Sequence, residues 1–364
     1  MKNYILSFIL LFPLLVYAQN KISIPVPGVE FNPRNYVCYR TDKPIKIDGK
    51  IDDKIWSKTD WTDLFVDIEG NLKPLPRFKT KVKMLWDDQY LYIAGEMEEP
   101  HLWATIKQRD AVMFYDNDFE VFIDPDGDTH KYYELEINAL ATAWDLFLVK
   151  PYRDEGSAAV NSWDIKGLKV AVNLQGTLNN PNDTDKGWTC EIAIPWTVLR
   201  ESYYNQSVPK SGEQWRINFS RVEWRYKSVN NKYEKELDPK TGKPFPEDNW
   251  VWSPQGVINI HYPEMWGSLQ FSAITAGIGK EEFVIKPSEK AKWALRKIYY
   301  AQHNYMNINN EFTNDLKKLG LDEYKIEGYS WPPEIEVTKK MFMATIKSND
   351  GKESISIKND GEVK

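Results

Sequence analysis

The chain has 364 residues, with 53 acidic against 47 Lys and Arg side chains and a formal net charge of −6. No basic stripe is present to meet a phosphate backbone, and no run of like charge marks a membrane- or partner-binding tail, so nucleic acid is excluded as a partner. Aromatic residues make up 14%, with 15 Trp and 20 Tyr, an excess that calls either for a large β-sandwich core or for platforms that stack on the C–H faces of sugar rings.

Met1–Ala18 reads as a secretory signal: Lys2 supplies the charge, and the apolar run Tyr4–Val16 is too short to span a bilayer. Val16-Tyr17-Ala18 sets the expected cleavage before Gln19, so the mature protein is expected to be exported, to the periplasm or beyond, without membrane insertion. Cys38 and Cys190 are the two cysteines; in an oxidising compartment they can pair or stay as buried thiols, and the sequence leaves both open.

After a Pro-containing entry segment, Ile45–Trp56 carries an Asp48-Gly49 turn and a short helix that turns Ile55 and Trp56 inward. Thr80–Glu96 alternates on either side of Asp87-Asp88 and predicts a hairpin. His101–Asp118 is an irregular polar and aromatic stretch holding Trp103, Arg109, Phe114 and Asn117, a natural binding rim. The central hairpin follows. Phe119, Val121 and Ile123 alternate with Glu120 and Phe122, and Tyr133, Leu135 and Ile137 alternate with Glu134, Glu136 and Asn138, around the polar turn DPDGDTHK. One strand face must therefore be buried, while the other presents Glu120, Glu136 and Asn138. Further strands are expected at 163–172, 187–195, 214–222, 249–254 and 266–271, giving an all-β antiparallel sandwich, jelly-roll-like, over 19–275. A linker leads to a small α+β appendix at 286–364. Its helix is expected over 288–305, with 311–321 continuing it, and a hairpin turns at Asn349-Asp350-Gly351.

The motifs DGKIDDKIW, KMLWDDQYLYIAGE, DNDFEVFIDPDGD, YYELEIN, GWTCEIAIPW, WRINFSR and MWGSLQF occur in that order. Together they resemble carbohydrate-binding module family 9, over roughly 36–272. The resemblance implies a sandwich that clamps a terminal sugar between two aromatic rings beside a Glu, which falls on Glu120. The first clamp position falls on Phe114, and the second falls at about Ile260, which is not aromatic. An Arg of the pattern is replaced by Glu136, whereas Asn138 matches. The C-terminal segment is outside this resemblance; its helix is similar in pattern to that of secreted pilin-type subunits and is a candidate docking site for a protein partner.

These observations lead to an expected non-catalytic site for an oligo- or polysaccharide, made by Trp103, Arg109, Phe114, Asn117, Glu120, Glu136, Asn138, Arg221, Trp224 and Trp252. Charge-assisted hydrogen bonds from Glu120, Glu136 and an Arg partner would hold the sugar hydroxyls. Two alternatives stand beside it: a glycosidase using Glu120 and Glu136 as a cross-strand carboxylate pair, and an assembly subunit docked through the appendix. Asp124, Asp126 and Asp128 alternate around Gly127 and offer oxygen ligands to a structural Ca²⁺, although DPDG is also an ordinary turn. The histidines share no metal spacing; His261, beside Tyr262-Pro263-Glu264, is a weak site candidate.

Overall fold

The computed structural model describes residues 24–154, 156, 158–203 and 208–364; the expected signal segment lies outside them. In chain order the strands are β1 (Asn35–Arg40), β2 (Val66–Asp67), β3 (Thr80–Trp86), β4 (Tyr90–Glu98), β5 (Asp118–Asp124), β6 (Tyr132–Asn138), β7 (Ala143–Leu148), β8 (Ala159–Val160) and β9 (Lys169–Leu174). There follow β10 (Gly187–Pro195), β11 (Gln214–Glu223), the pair β12 (Tyr226–Val229) and β13 (Lys232–Lys235), β14 (Asp248–Val251) and β15 (Gly267–Thr275). The appendix contributes α1 (Pro287–Asn309), β16 (Glu334–Val337), β17 (Phe342–Lys347) and β18 (Ser354–Lys358).

Hydrogen bonds run through the order β8-β7-β6-β5-β11-β15-β1-β3-β4-β10-β9, so one sheet folds over on itself into the two layers of a sandwich. The hinge is β1. It pairs in parallel with β15 over Asn35–Cys38, breaks register, and then pairs in parallel with β3 at Tyr39 and Arg40. The expectation of a purely antiparallel sandwich is corrected at this strand alone; the other pairings of this sheet are antiparallel.

The alternation of the central hairpin builds the core. Phe119, Val121 and Ile123 of β5, with Leu135 and Ile137 of β6 and Ile217 and Phe219 of β11, meet Val82, Met84, Leu91, Ile93, Ile192 and Ile194 from the opposite layer. Each such side chain contributes roughly 1.5–3 kcal/mol by leaving water. Cys38 and Cys190 are both buried and free, and burial lifts the Cys190 thiol to about 12. Gly267 makes room for Trp252, since a Cβ there would come within 2.3 Å of the indole ring. The strand expected at 163–172 begins only at Lys169, and the short β7, unforeseen, covers the far side of β6.

In the appendix, α1 turns Ala291, Ala294, Leu295, Ile298, Tyr299 and Gln302 inward at helical spacing. It does not continue into 311–321: Asn310 adopts the left-handed conformation (φ 57°) and donates its N–H to Met306 O at 2.8 Å, which closes the helix. The buried face packs on a three-stranded sheet, with β16 added to the expected hairpin, and on Tyr262 and Met265 of the sandwich.

A buried ionic network fixes the two parts together. Arg153 Nη2 donates to Glu264 Oε2 at 2.8 Å, Tyr300 donates to Glu264 Oε1 at 2.5 Å, and Arg296 Nε lies 3.6 Å from Glu264 Oε1. Burial alone would lift Glu264, but Arg153 and Arg296 outweigh it and hold the carboxyl at about 2. The hairpin turn after β5 is part of this seam. Arg296 Nη2 donates to Thr129 Oγ1 at 3.0 Å, Lys292 Nζ to Gly127 O at 3.3 Å, and Val363 N to Asp128 O at 3.1 Å.

Candidate functional site

The outward face of the central strands is the candidate site. Strand parity sends Asp118, Glu120, Phe122 and Asp124 of β5 away from the core, and the register sets Glu120 opposite Glu136 and Asp118 opposite Asn138. Glu134 lies two positions from Glu136 on the same face, opposite Phe122. The face is not a solvated one: Asp118, Glu120, Glu134 and Glu136 are each no more than 5% exposed. Asp118, Glu120 and Glu136 each bring an oxygen within 4.8 Å of the others.

Crowding of buried carboxylates raises their affinity for protons. Burial, with Glu247 nearby, lifts Glu120 to about 7; burial and Glu120 lift Glu134 to about 8. Glu136 and Asp118 are pushed up well beyond the usual range, first by burial and then by Glu120. Asp118 accepts from Val222 N through Oδ1 at 3.3 Å, while its Oδ2, Glu134 Oε2 and Glu136 Oε2 receive no hydrogen bond among the described residues.

Aromatic residues border this floor. Trp144 of β7 stands opposite Glu136 and is half-buried; Tyr152 is 48% exposed and sits edge-on to His261, with ring centroids 4.6 Å apart. At the other end Phe114 packs beside Val222 and Trp224, next to the 58% exposed Tyr115. Ile260 and Trp144 lean on the apolar cluster of Phe122, Tyr132, Leu146 and Trp266. His261 Nδ1 is paired with the Tyr132 hydroxyl at 2.8 Å, and burial, reinforced by Arg153, depresses it to about 3.

Of the expected residues, Glu120, Glu136 and Phe114 share this region, and Trp103 and Trp224 form the cluster on which Phe114 packs. The others are turned elsewhere or already engaged, and neither Trp is free. Arg221 points into the sandwich, where it donates to Glu99 at 2.9 Å, Glu223 at 3.0 Å and Thr80 at 3.1 Å. Asn117 belongs to the same inner network, donating to Glu99 and Glu223 and accepting from Trp224 N. Arg109 is bound to Asp145 at 2.5 Å and to Asp164; Asp145 faces the core side of β7, so this ion pair lies away from Glu120. Asn138 is fully engaged: its amide donates to Ile106 O and Asp116, and its oxygen accepts from Leu140 and Thr142. Such an amide has nothing left for a sugar hydroxyl. Trp252 is a core residue at 1% exposure. Trp103 and Trp224 are buried against Val222, with Lys235 Nζ 3.1 Å from the Trp224 ring centroid, so neither offers an open ring face.

Sequence reading missed Asp118, Glu134, Trp144 and Tyr152. The first two were within reach, since they share the parity of Glu120 and Glu136. Trp144 depended on the unforeseen β7.

The Asp124–Asp128 turn keeps its three carboxylates within 4.8 Å of one another. Asp124 accepts from Gly127 N at 3.0 Å and Thr129 N at 2.9 Å, and Asp128 from His130 N at 2.7 Å. Burial and Asp126 lift Asp128 to about 7.

The fold is a β-sandwich of two layers, with a polar outer strand face bordered by aromatic side chains. Residues 47–219 match the model of the family described as "Carbohydrate family 9 binding domain-like". The chain is 30% identical over 154 residues to the exoglucanase XynX of Acetivibrio thermocellus and 28% identical over 157 residues to endo-1,4-beta-xylanase A of Thermoanaerobacterium saccharolyticum. These matches cover 42% and 43% of this chain but only 12% and 11% of those longer proteins. A solved family 9 module from Caldicellulosiruptor kristjanssonii, in complex with cellotriose, aligns at TM-score 0.41 and 16% identity, covering 68% of this chain and 99% of the module. Among the described residues no helix is long and apolar enough to cross a membrane.

Proposed function

We propose that this protein is an exported, non-catalytic carbohydrate-binding protein that receives an oligo- or polysaccharide on the outer face of β5, β6 and β7. The observation that carries the reading is the Glu120–Glu136 face, bordered by Phe114, Trp144 and Tyr152, within a segment that matches the family 9 model. Carboxylates accept strong hydrogen bonds from hydroxyls, and rings pack on sugar C–H faces. The glucanase and xylanase names of its relatives make β-1,4-linked gluco- and xylo-oligosaccharides the first probes. Calorimetric titration of the chain beginning at Gln19 with these oligosaccharides, after a glycan-array screen, tests the proposal; absence of any glycan binding overturns it.

Hydrolysis by Glu120 and Glu136 is the alternative. A retaining mechanism needs one carboxylate ionised as nucleophile, whereas both members of this pair are buried and lifted together. Release of reducing sugar from a bound glycan would favour the enzyme. The scaffold alternative gains no support from α1, whose apolar face packs on its own sheet and on the sandwich.

Calcium at the Asp124–Asp128 turn is a second part of the proposal, supported by the mutual approach of its three carboxylates. Its test is a melting curve with chelator and with restored Ca²⁺. A calcium-dependent gain that Asp126→Asn leaves unchanged would remove the turn from consideration.

A further inference from the structure

The near-complete burial of the acidic floor, with carboxylate oxygens left without donors, is the feature that the glycan reading leaves unexplained. Four carboxylates share one strand face at no more than 5% exposure. The arginines that could have served them are bound elsewhere: Arg109 to Asp145 and Asp164, Arg221 to Glu99 and Glu223, Arg153 to Glu264. A buried carboxylate needs a proton, a cation or hydrogen-bond donors.

We infer that Asp118, Glu120 and Glu136 form a site for a hard divalent cation, calcium, in the middle of the outer face. Two observations of different kinds support this. The three residues, all nine-tenths or more buried, each offer an oxygen within 4.8 Å of the others. Oxygens bound to one Ca²⁺ at its usual distances lie no more than about 5 Å apart, and Ca²⁺ accepts several carboxylates, whereas Mg²⁺ usually keeps its waters and takes one or two. Independently, Glu134, which is not one of the three, is buried beside them with Oε2 unpartnered. Its carboxylate lies close enough to Glu120 and Glu136 for each to feel its charge. Asp118 Oδ2 and Glu136 Oε2 are likewise without donors. A cation at this point would serve oxygens that no protein donor reaches. The inference does not rest on glycan binding: a cation site can be present whether or not a sugar is ever bound.

The test uses the full chain carrying Asp126→Asn, which removes a candidate ligand from the turn after β5. Chelator-treated protein is titrated calorimetrically with CaCl₂ and, separately, MgCl₂, without glycan. The expected result is one equivalent of Ca²⁺, with affinity reduced at least tenfold by Glu136→Gln and likewise by Asp118→Asn, each added to the same background. Both are near-isosteric, and if one fails to fold the other carries the measurement. Folding is checked by a melting curve, in which Ca²⁺ should raise Tm for the parent and not for the added variants. No Ca²⁺ binding in the Asp126→Asn background, an isotherm unmoved by either added variant, or tighter binding of Mg²⁺ than of Ca²⁺ would overturn the assignment. Glycan titrations on the same samples report on the proposed function separately.

Discussion

Arg296 of the C-terminal helix donates to Thr129 Oγ1 at 3.0 Å, and its second acceptor from the same nitrogen is Gly361 O at 2.7 Å. One side chain thus ties together the helix, the turn of the central hairpin and the last residues of the chain. Arg296 is 1% exposed and lies beside Glu264, which also holds Arg153. Removing one partner of a buried ionic network leaves the others uncompensated, at a cost of about 3–5 kcal/mol. Arg296→Met is therefore expected to lower the stability of sandwich and appendix together, as one shifted transition in calorimetry. Two separate transitions in the parent protein, with only one moved by the substitution, would show that the parts melt independently.

Glu134→Gln should stabilise the chelator-treated protein. Glu134 is lifted to about 8 by burial and by Glu120, so the folded state holds it against its preference for ionisation at neutral pH. Replacing the acid with an amide removes that penalty and supplies a donor to a face crowded with acceptors. The expected gain is about 1–3 kcal/mol at neutral pH, read as a higher denaturation midpoint. A lower midpoint in chelator would mean that the carboxylate is already well served.

Acid sensitivity should pass in part through His261. Its ring is held at about 3 by burial, with Arg153 nearby, the Tyr132 hydroxyl paired with Nδ1 and the Tyr152 ring edge-on to it. An unfolded histidine titrates near 6.5. The neutral ring therefore contributes stability that is complete above about pH 6.5 and is lost as pH falls towards 3, because the unfolded chain takes up a proton that the folded one refuses. Between about pH 7.5 and 5 the wild type should lose on the order of 1–2 kcal/mol more than His261→Asn. Comparing the two proteins cancels the contribution of the buried carboxylates, which is common to both. Parallel pH profiles would show that His261 titrates normally.

For the glycan itself, Glu120→Gln and Tyr152→Ala probe different contributions. The first removes a charged acceptor and should weaken binding of the best oligosaccharide by about 1–3 kcal/mol. The second removes an exposed ring and should weaken it by about 1 kcal/mol, with little change in Tm because Tyr152 is 48% exposed. Titration of both variants decides the matter: affinity unchanged in both would place the sugar elsewhere on the molecule.

The facing of the central hairpin could be read from alternation alone, whereas the opposition of Glu120 to Glu136 depends also on the turn. Period-2 patterning fixes which side chains share a face, and the structure keeps that assignment for every residue of β5 and β6. The same rule, carried one strand further, would have excluded Arg221, which has the parity of the buried Ile217 and Phe219. Other errors had no remedy in the sequence. Asn138 looks like a free amide until its four local hydrogen bonds are seen. Trp252 looks like a platform until Gly267 is found beneath it. The turn DPDGDTHK gives no sign that it also seats the C-terminal segment, because that contact joins residues far apart in the chain.

The parallel insertion of β1 between β15 and β3 constrains the order in which the molecule can be completed. Asn35 finds its partner at Ser268 and Arg40 finds one at Thr275, so the first strand has to wait for residues more than two hundred positions downstream. Until those residues have left the ribosome, β3 exposes an unpaired edge and the two layers have no hinge. Such an edge is a template for pairing with another chain, and long-range pairings of this kind close slowly. The hairpins at 80–98 and 118–138 can form early, but closure of the sandwich is a late event in the life of the nascent chain, and the unclosed intermediate is the species most prone to self-association.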